Sequence, residues 1–207
     1  MKRSEVLDEY IKNKIEAFSE DEREEELLEV WGANWSEAEG WGNLSQEIKD
    51  STETGVLPRD YLNEKYDEVL YFKFRDQFKG YRNEYLVKQT ALQITSGEAV
   101  KLDACPCCGL RSIEARYAFE ICTVCWWEDD GEDNDRLNGM GANEVSLIEG
   151  RLNFIQHGIY NPERDDLREL QDQPEKFEKE RVFEIQKGFL VELGTEWKIK
   201  IDEHQNE

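Results

Sequence analysis

Five cysteines are the residues of this chain best equipped for chemistry. Four of them form two pairs, Cys105-x2-Cys108 and Cys122-x2-Cys125. Two such pairs across a short loop have the spacing of a tetrahedral structural zinc site. Two intervening residues let one tight turn aim both sulfurs at a metal about 2.3 Å away. Pro106 fixes φ in the first turn, and Gly109 supplies the positive φ that closes it. Four thiolates fill the coordination shell, so Cys105, Cys108, Cys122 and Cys125 are expected to hold structural zinc rather than a reacting group. Cys107 is left over, read as a small buried side chain or as an additional or reactive thiol.

Other cysteine chemistries fit less well. The odd count and the charged opening Met1-Lys2-Arg3-Ser4-Glu5, which is no signal peptide, argue against a secreted disulfide framework. No βαβ setting surrounds the pairs as a thioredoxin-like site requires. A zinc deaminase needs His-x-Glu, and neither His157 nor His204 is followed by it. His157 would serve as a ligand only if a cysteine were unused, and is expected at the surface. The acidic run Glu128-Asp129-Asp130-Gly131-Glu132-Asp133-Asn134-Asp135 suggests calcium, but from either start a glycine or leucine falls on a ligand position. It is read instead as an acidic turn, or as a docking surface for lysine and arginine.

The elements that must position the thiols follow from pattern. Ala99–Leu102 and Tyr117–Ile121 alternate apolar and polar residues, as strands leading into the two turns would. Trp126 and Trp127 are placed to shield the sulfurs. Upstream, Ser4 caps a helix presenting Leu7, Ile11, Ile15 and Phe18, and Ser19 with Glu22 forms a capping box for the next. Trp31, Trp35 and Trp41 stand among glycines, as a packed loop or as partner anchors. Helices are expected from Pro58 through Tyr71–Phe74 to Gly80, and from Tyr81 to Ile94. Downstream, Ser146 caps a helix stopped by Gly158, and Asn161-Pro162 opens a short one that Pro174 ends. Phe177–Phe189 is read as helical and Glu196–Asp202 as a strand. The fold class is therefore α+β: a mostly helical N-terminal domain (1–96), a central zinc-ribbon-like β module (99–158), and C-terminal helices ending in a strand (159–207) that pack on the rest.

The formal charge is −22, from 48 acidic and 26 basic residues. Such a balance disfavours direct nucleic-acid binding and favours encounter with basic partners. An aromatic content of 11% argues against disorder, and no apolar run is long enough to span a membrane, so a cytoplasmic protein is expected. There is no glycine-rich phosphate loop and no Ser/His/Asp set.

Cys105-Pro106-Cys107-Cys108-Gly109, then Cys122-x2-Cys125-x-Trp127-Glu128-Asp129-Asp130-Gly131, resembles the bacterial cysteine-rich CPCC domain family. The likeness continues through Gly141-Ala142-Asn143, Ser146-Leu147, Arg151, Asn153-Phe154 and Gly158, covering about residues 103–158. Thr123 stands where members usually carry proline, and Met140 where they carry glycine. The resemblance implies a small zinc-ribbon-like module of poorly defined activity, common near polymorphic-toxin loci. With the charge, it leads to the expectation of a non-enzymatic immunity protein that blocks a cognate toxin, a basic nuclease domain. Glu128, Asp129, Asp130, Glu132, Asp133 and Asp135 would meet the partner, with Trp35 and Trp41 as further anchors. The rival expectations are a regulatory or adaptor module on transcription or stress machinery, and a metal-dependent enzyme using Cys107.

Overall fold

A computed structural model describes residues 1–31, 33, 35, 38, 40–137 and 141–201. Met140, Asp202, His204 and parts of the tryptophan loop (32, 34, 36, 37 and 39) lie outside the described residues. The fold is α+β, with helices first and two small antiparallel sheets after them. The chain divides into two units, Met1–Ala99 and Val100–Glu207. Residues 159–207 fall in the same unit as the cysteines.

The first unit contains α1 (Arg3–Glu16), α2 (Glu20–Trp31), α3 (Gln46–Glu53), α4 (Asp67–Gln77) and α5 (Asn83–Thr90). Val6, Leu7, Ile11 and Ile15 recur at helical spacing along α1 and are buried. The α1 cap is Lys2, not Ser4, because the Glu5 carboxylate accepts from the Lys2 backbone N–H at 2.8 Å. The Ser19 box forms as expected: Glu22 Oε2 accepts from the Ser19 N–H at 2.8 Å, and the Glu22 N–H donates back to Ser19 Oγ at 3.3 Å. Pro58 does not open α4. The chain turns through residues 59–63, and only after Asn63 Oδ1 accepts from the Lys65 N–H does helical structure begin. Tyr71–Phe74 stays in α4, which buries Phe72, Lys73 and Phe74. Ser45, whose Oγ accepts from the Ile48 N–H, starts α3, a helix the glycine-rich surroundings concealed. The tryptophan loop packs: Trp35 and Trp41 meet the Phe72 ring edge-on, with centroids 5.5 and 5.4 Å away.

The second unit opens with β1 (Asp103–Ala104) and β2 (Arg111–Ile113), paired antiparallel on either side of the first cysteine turn. After the second turn come α6 (Leu147–His157) and an antiparallel meander of β3 (Phe183–Gln186), β4 (Phe189–Glu192) and β5 (Lys198–Lys200). The helix expected over Phe177–Phe189 does not form: the chain runs on without helix to Val182 and then enters the β3–β4 hairpin. Lys187 and Gly188 both take positive φ (52° and 79°), as a two-residue turn of matching twist requires. The expected last strand is present as β5. Leu152 of α6 packs with Phe183, Leu190 and Ile201, and Ile148, Trp197 and Ile199 border this core. Ser146 caps α6 through the Glu149 N–H, and Gly158 ends it at φ 76°. Asn161-Pro162 leads into a 3-10 stretch, Asp165–Leu170, rather than an α-helix.

Candidate metal centre

The cysteine turns repeat one another. In the first, the Cys105 N–H donates to the Leu110 carbonyl at 2.8 Å and the Gly109 N–H to the Cys105 carbonyl at 2.9 Å. In the second, the Cys122 N–H donates to the Trp127 carbonyl at 2.9 Å and the Trp126 N–H to the Cys122 carbonyl at 2.7 Å. Trp126 (φ 66°) therefore does the conformational work of Gly109 (φ 77°). Gly109 has a second reason to lack a side chain: a Cβ there would lie 2.0 Å from the Arg181 carbonyl oxygen. The strands leading into the turns are not those expected. Ala99–Leu102 carries no ladder, and Tyr117–Ile121 is held by the Phe119 N–H to the Asp129 carbonyl and an Ile121–Glu128 bridge.

The Sγ atoms of Cys105, Cys108, Cys122 and Cys125 are buried and lie within 4.8 Å of one another. Cys105 to Cys125 measures 3.6 Å and Cys108 to Cys122 3.7 Å. Sulfurs about 2.3 Å from a central ion at tetrahedral angles stand about 3.8 Å apart, so this donor set fits zinc. All five cysteines are free thiols. Burial pushes the Cys105, Cys108 and Cys125 thiols up, the last two well above their ordinary range. At Cys122 burial acts the same way, but hydrogen bonds from the other three thiols and from Ser112 outweigh it and bring that thiol well down. A divalent ion at the centre would favour the thiolate form of all four. Ser112 Oγ sits 2.9 Å from Cys122 Sγ, and the Cys125 N–H donates to the same sulfur at 3.5 Å.

Residues 103–175 match the model of the cysteine-rich CPCC family. No curated protein and no solved structure matches the chain. The matched segment extends past Gly158 into the stretch around Pro174, where the Asp172 N–H donates to the Thr123 carbonyl and the Tyr160 N–H to the Cys125 carbonyl.

Several residues of the matched segment have structural tasks that spacing could not reveal. Asn143 brackets Glu128, accepting its N–H at 2.7 Å and donating to its carbonyl at 2.9 Å. Gly150 admits Trp127, whose ring carbon would lie 2.9 Å from a Cβ there. Trp127 is fully buried and meets Tyr160 edge-on, while Trp126 is half-buried beside a cavity. Arg151 is wholly buried, donates Nε to the Pro106 carbonyl at 2.8 Å, and lies over the Phe183 ring at 4.0 Å. Burial pulls its guanidinium down to about 10. Cys107 is buried outside the group of four, 3.5 Å from where a Gly150 Cβ would stand. It borders a cavity of about 230 Å³ that Phe154, Lys179 and Phe183 also line. His157 is exposed at the end of α6.

The acidic run is the main departure from expectation. Asp129 is fully buried and accepts from Arg116 Nε at 2.8 Å and the Tyr117 N–H at 2.7 Å. Asp133 accepts from Arg116 Nη1 at 3.0 Å and from both Arg181 terminal nitrogens at 3.1 and 2.8 Å, with Arg151 Nη2 3.6 Å away. Arg181 also binds Glu192, whose other oxygen accepts from Asn134 Nδ2. Burial raises the Asp133 carboxyl, but Arg181, the Asn134 N–H and Arg116 hold it below the usual carboxylate range. Glu132 is buried, Glu128 and Asp130 are half-buried, and Asp135 alone is fully exposed. Asp129 and Glu132 are thus buried rather than presented to a partner, whereas Asp133 is half-buried, its carboxylate paired with Arg116 and Arg181. Trp35 and Trp41, covering Phe72, serve as packing. Arg116, Arg181 and Asn134 went unmarked because isolated arginines and an asparagine carry no spacing signal; Ser112 could have been found from its place just past the first knuckle.

Proposed function

We propose that the CPCC segment is a structural zinc module and that the protein acts by binding, as an immunity protein that covers a basic bacterial toxin. The observation that carries the first half is the closed set of four buried thiols, which leaves a metal no open position for substrate. Zinc would rigidify both knuckles and the segments tied to them, so that the recognition surface meets its partner already ordered. The second half is supported by the charge of −22, which steers basic proteins and repels nucleic acid. Solvated carboxylates such as Glu20, Asp21, Glu22 and Glu25 at the start of α2 supply that field. Co-expression with the product of the adjacent gene tests the reading. Protection of growth and a stable complex are expected. Loss of protection, with recovery of the protein on transcription or stress machinery, would replace it by the adaptor reading.

A further inference from the structure

Residues 114–121, between the cysteine pairs, show large apolar side chains to solvent. Tyr117 and Phe119 are each 64% exposed and Ile121 48%. The two aromatics also take left-handed backbone conformations, φ 65° and 58°, which L-residues other than asparagine and aspartate seldom adopt. Strain is normally tolerated to bury a side chain or to do something else; here nothing is buried. Asp129 imposes the shape. Its carboxylate receives the Tyr117 N–H and Arg116 Nε, and its carbonyl receives the Phe119 N–H. Arg116 in turn lies 4.9 Å from the Tyr117 ring centroid. The buried ion pair therefore holds an exposed aromatic loop in a strained form.

The same loop borders a cavity. Ile121, Trp126, Glu128, Tyr160 and Leu167 are among the residues that line a space of about 180 Å³, and the Trp126 indole N–H at its side is buried without a partner among the described residues. The electrostatics select the occupant. Arg116, the one basic residue of the sequence from 114 to 130, is paired with Asp129 and Asp133, and Arg164, which also lines the cavity, is held by both oxygens of Asp166, while Glu114, Glu120, Glu128 and Asp130 share the stretch. A second copy of this chain would set like charges against one another.

We infer that Tyr117, Phe119 and Ile121, with the cavity beside Trp126, form the docking surface for a protein segment that carries lysine or arginine next to an apolar side chain. The apolar side chain enters the cavity, and the cations meet the flanking carboxylates. This deepens, and rests on, the reading of a basic protein partner.

The test uses the full, zinc-loaded chain and a random-peptide phage library, with the Tyr117→Asn/Phe119→Asn double variant for comparison. Asparagine accepts positive φ, so the variant should keep its zinc and melt at the same temperature or higher. Enriched peptides should pair Lys or Arg with an apolar residue and bind the variant about tenfold or more weakly. Acidic consensus peptides, no enrichment, or equal binding to the variant would overturn the assignment. So would zinc loss and a lower melting temperature in the variant, which would make the aromatics part of the fold. Sedimentation showing a wild-type dimer that the variant abolishes would place a second copy on the surface instead. Undiminished toxin capture by the variant would sink this surface yet leave the immunity reading; enrichment as expected without toxin protection would do the reverse.

Discussion

Replacing Asp133 by alanine separates a structural carboxylate from a docking one. Its side chain is 19% exposed and receives three charged hydrogen bonds, one from Arg116 and two from Arg181, whose side chains are 18% and 15% exposed. Removing one partner of a buried ion pair costs about 3–5 kcal/mol, because the cations left behind remain desolvated. Here water can enter from the exposed edge, and Arg181 keeps Glu192 while Arg116 keeps Asp129. Both effects place the expected loss near ~3 kcal/mol. Urea unfolding at a fixed, buffered free-zinc concentration reads it, since metal release would otherwise shift the apparent stability. Asp135→Ala, at an exposed position of the same run, should stay within about 0.5 kcal/mol. A loss under about 1 kcal/mol for Asp133→Ala, equal to that of Asp135→Ala, would refute the claim that this carboxylate holds the unit together.

Gly109→Ala should destabilise by more than about 2 kcal/mol and lower zinc retention, because left-handed strain adds to a clash with the Arg181 carbonyl; unchanged melting and zinc content would contradict it. Ser112→Ala should weaken zinc about tenfold, read by competition with a chelator, through loss of the hydroxyl contact to Cys122; equal affinity would show that contact to be idle. Asp133 and Glu192 are both held below their ordinary values, so their contribution is complete above the usual carboxylate range and lost as pH falls through the lowered values. At saturating zinc the stability gap between wild type and Asp133→Ala should be flat from about pH 7 to 5 and close below about 4. A gap that widens on acidification would reverse the sign.

The parts of this structure legible in the sequence are those fixed by local chemistry. Cysteine spacing located the four thiols that come together, serine–glutamate spacing the capping box of α2, and period-two alternation the strand β5. What escaped depends on long-range pairing. The run Glu178-Lys179-Glu180-Arg181 reads as helix, but Phe183 and Ile185 alternate with Glu184 and Gln186 as a strand does, and the left-handed Lys187-Gly188 turn then brings Leu190 to the core with Leu152. The acidic run looks like surface because its counter-ions, Arg116, Arg151 and Arg181, are scattered over 66 positions of the chain numbering. Trp126 hid the equivalence of the two turns, since tryptophan is an unusual residue for the left-handed place that Gly109 fills opposite it.

Metal content of the purified chain, combined with X-ray absorption at the zinc edge, bears most directly on the claim that four sulfurs organise the second unit. The account predicts one zinc per chain in a shell of four sulfurs at about 2.3 Å. A metal-free chain that stays folded, a disulfide between any two of the four cysteines, or a shell with nitrogen or oxygen ligands would contradict it.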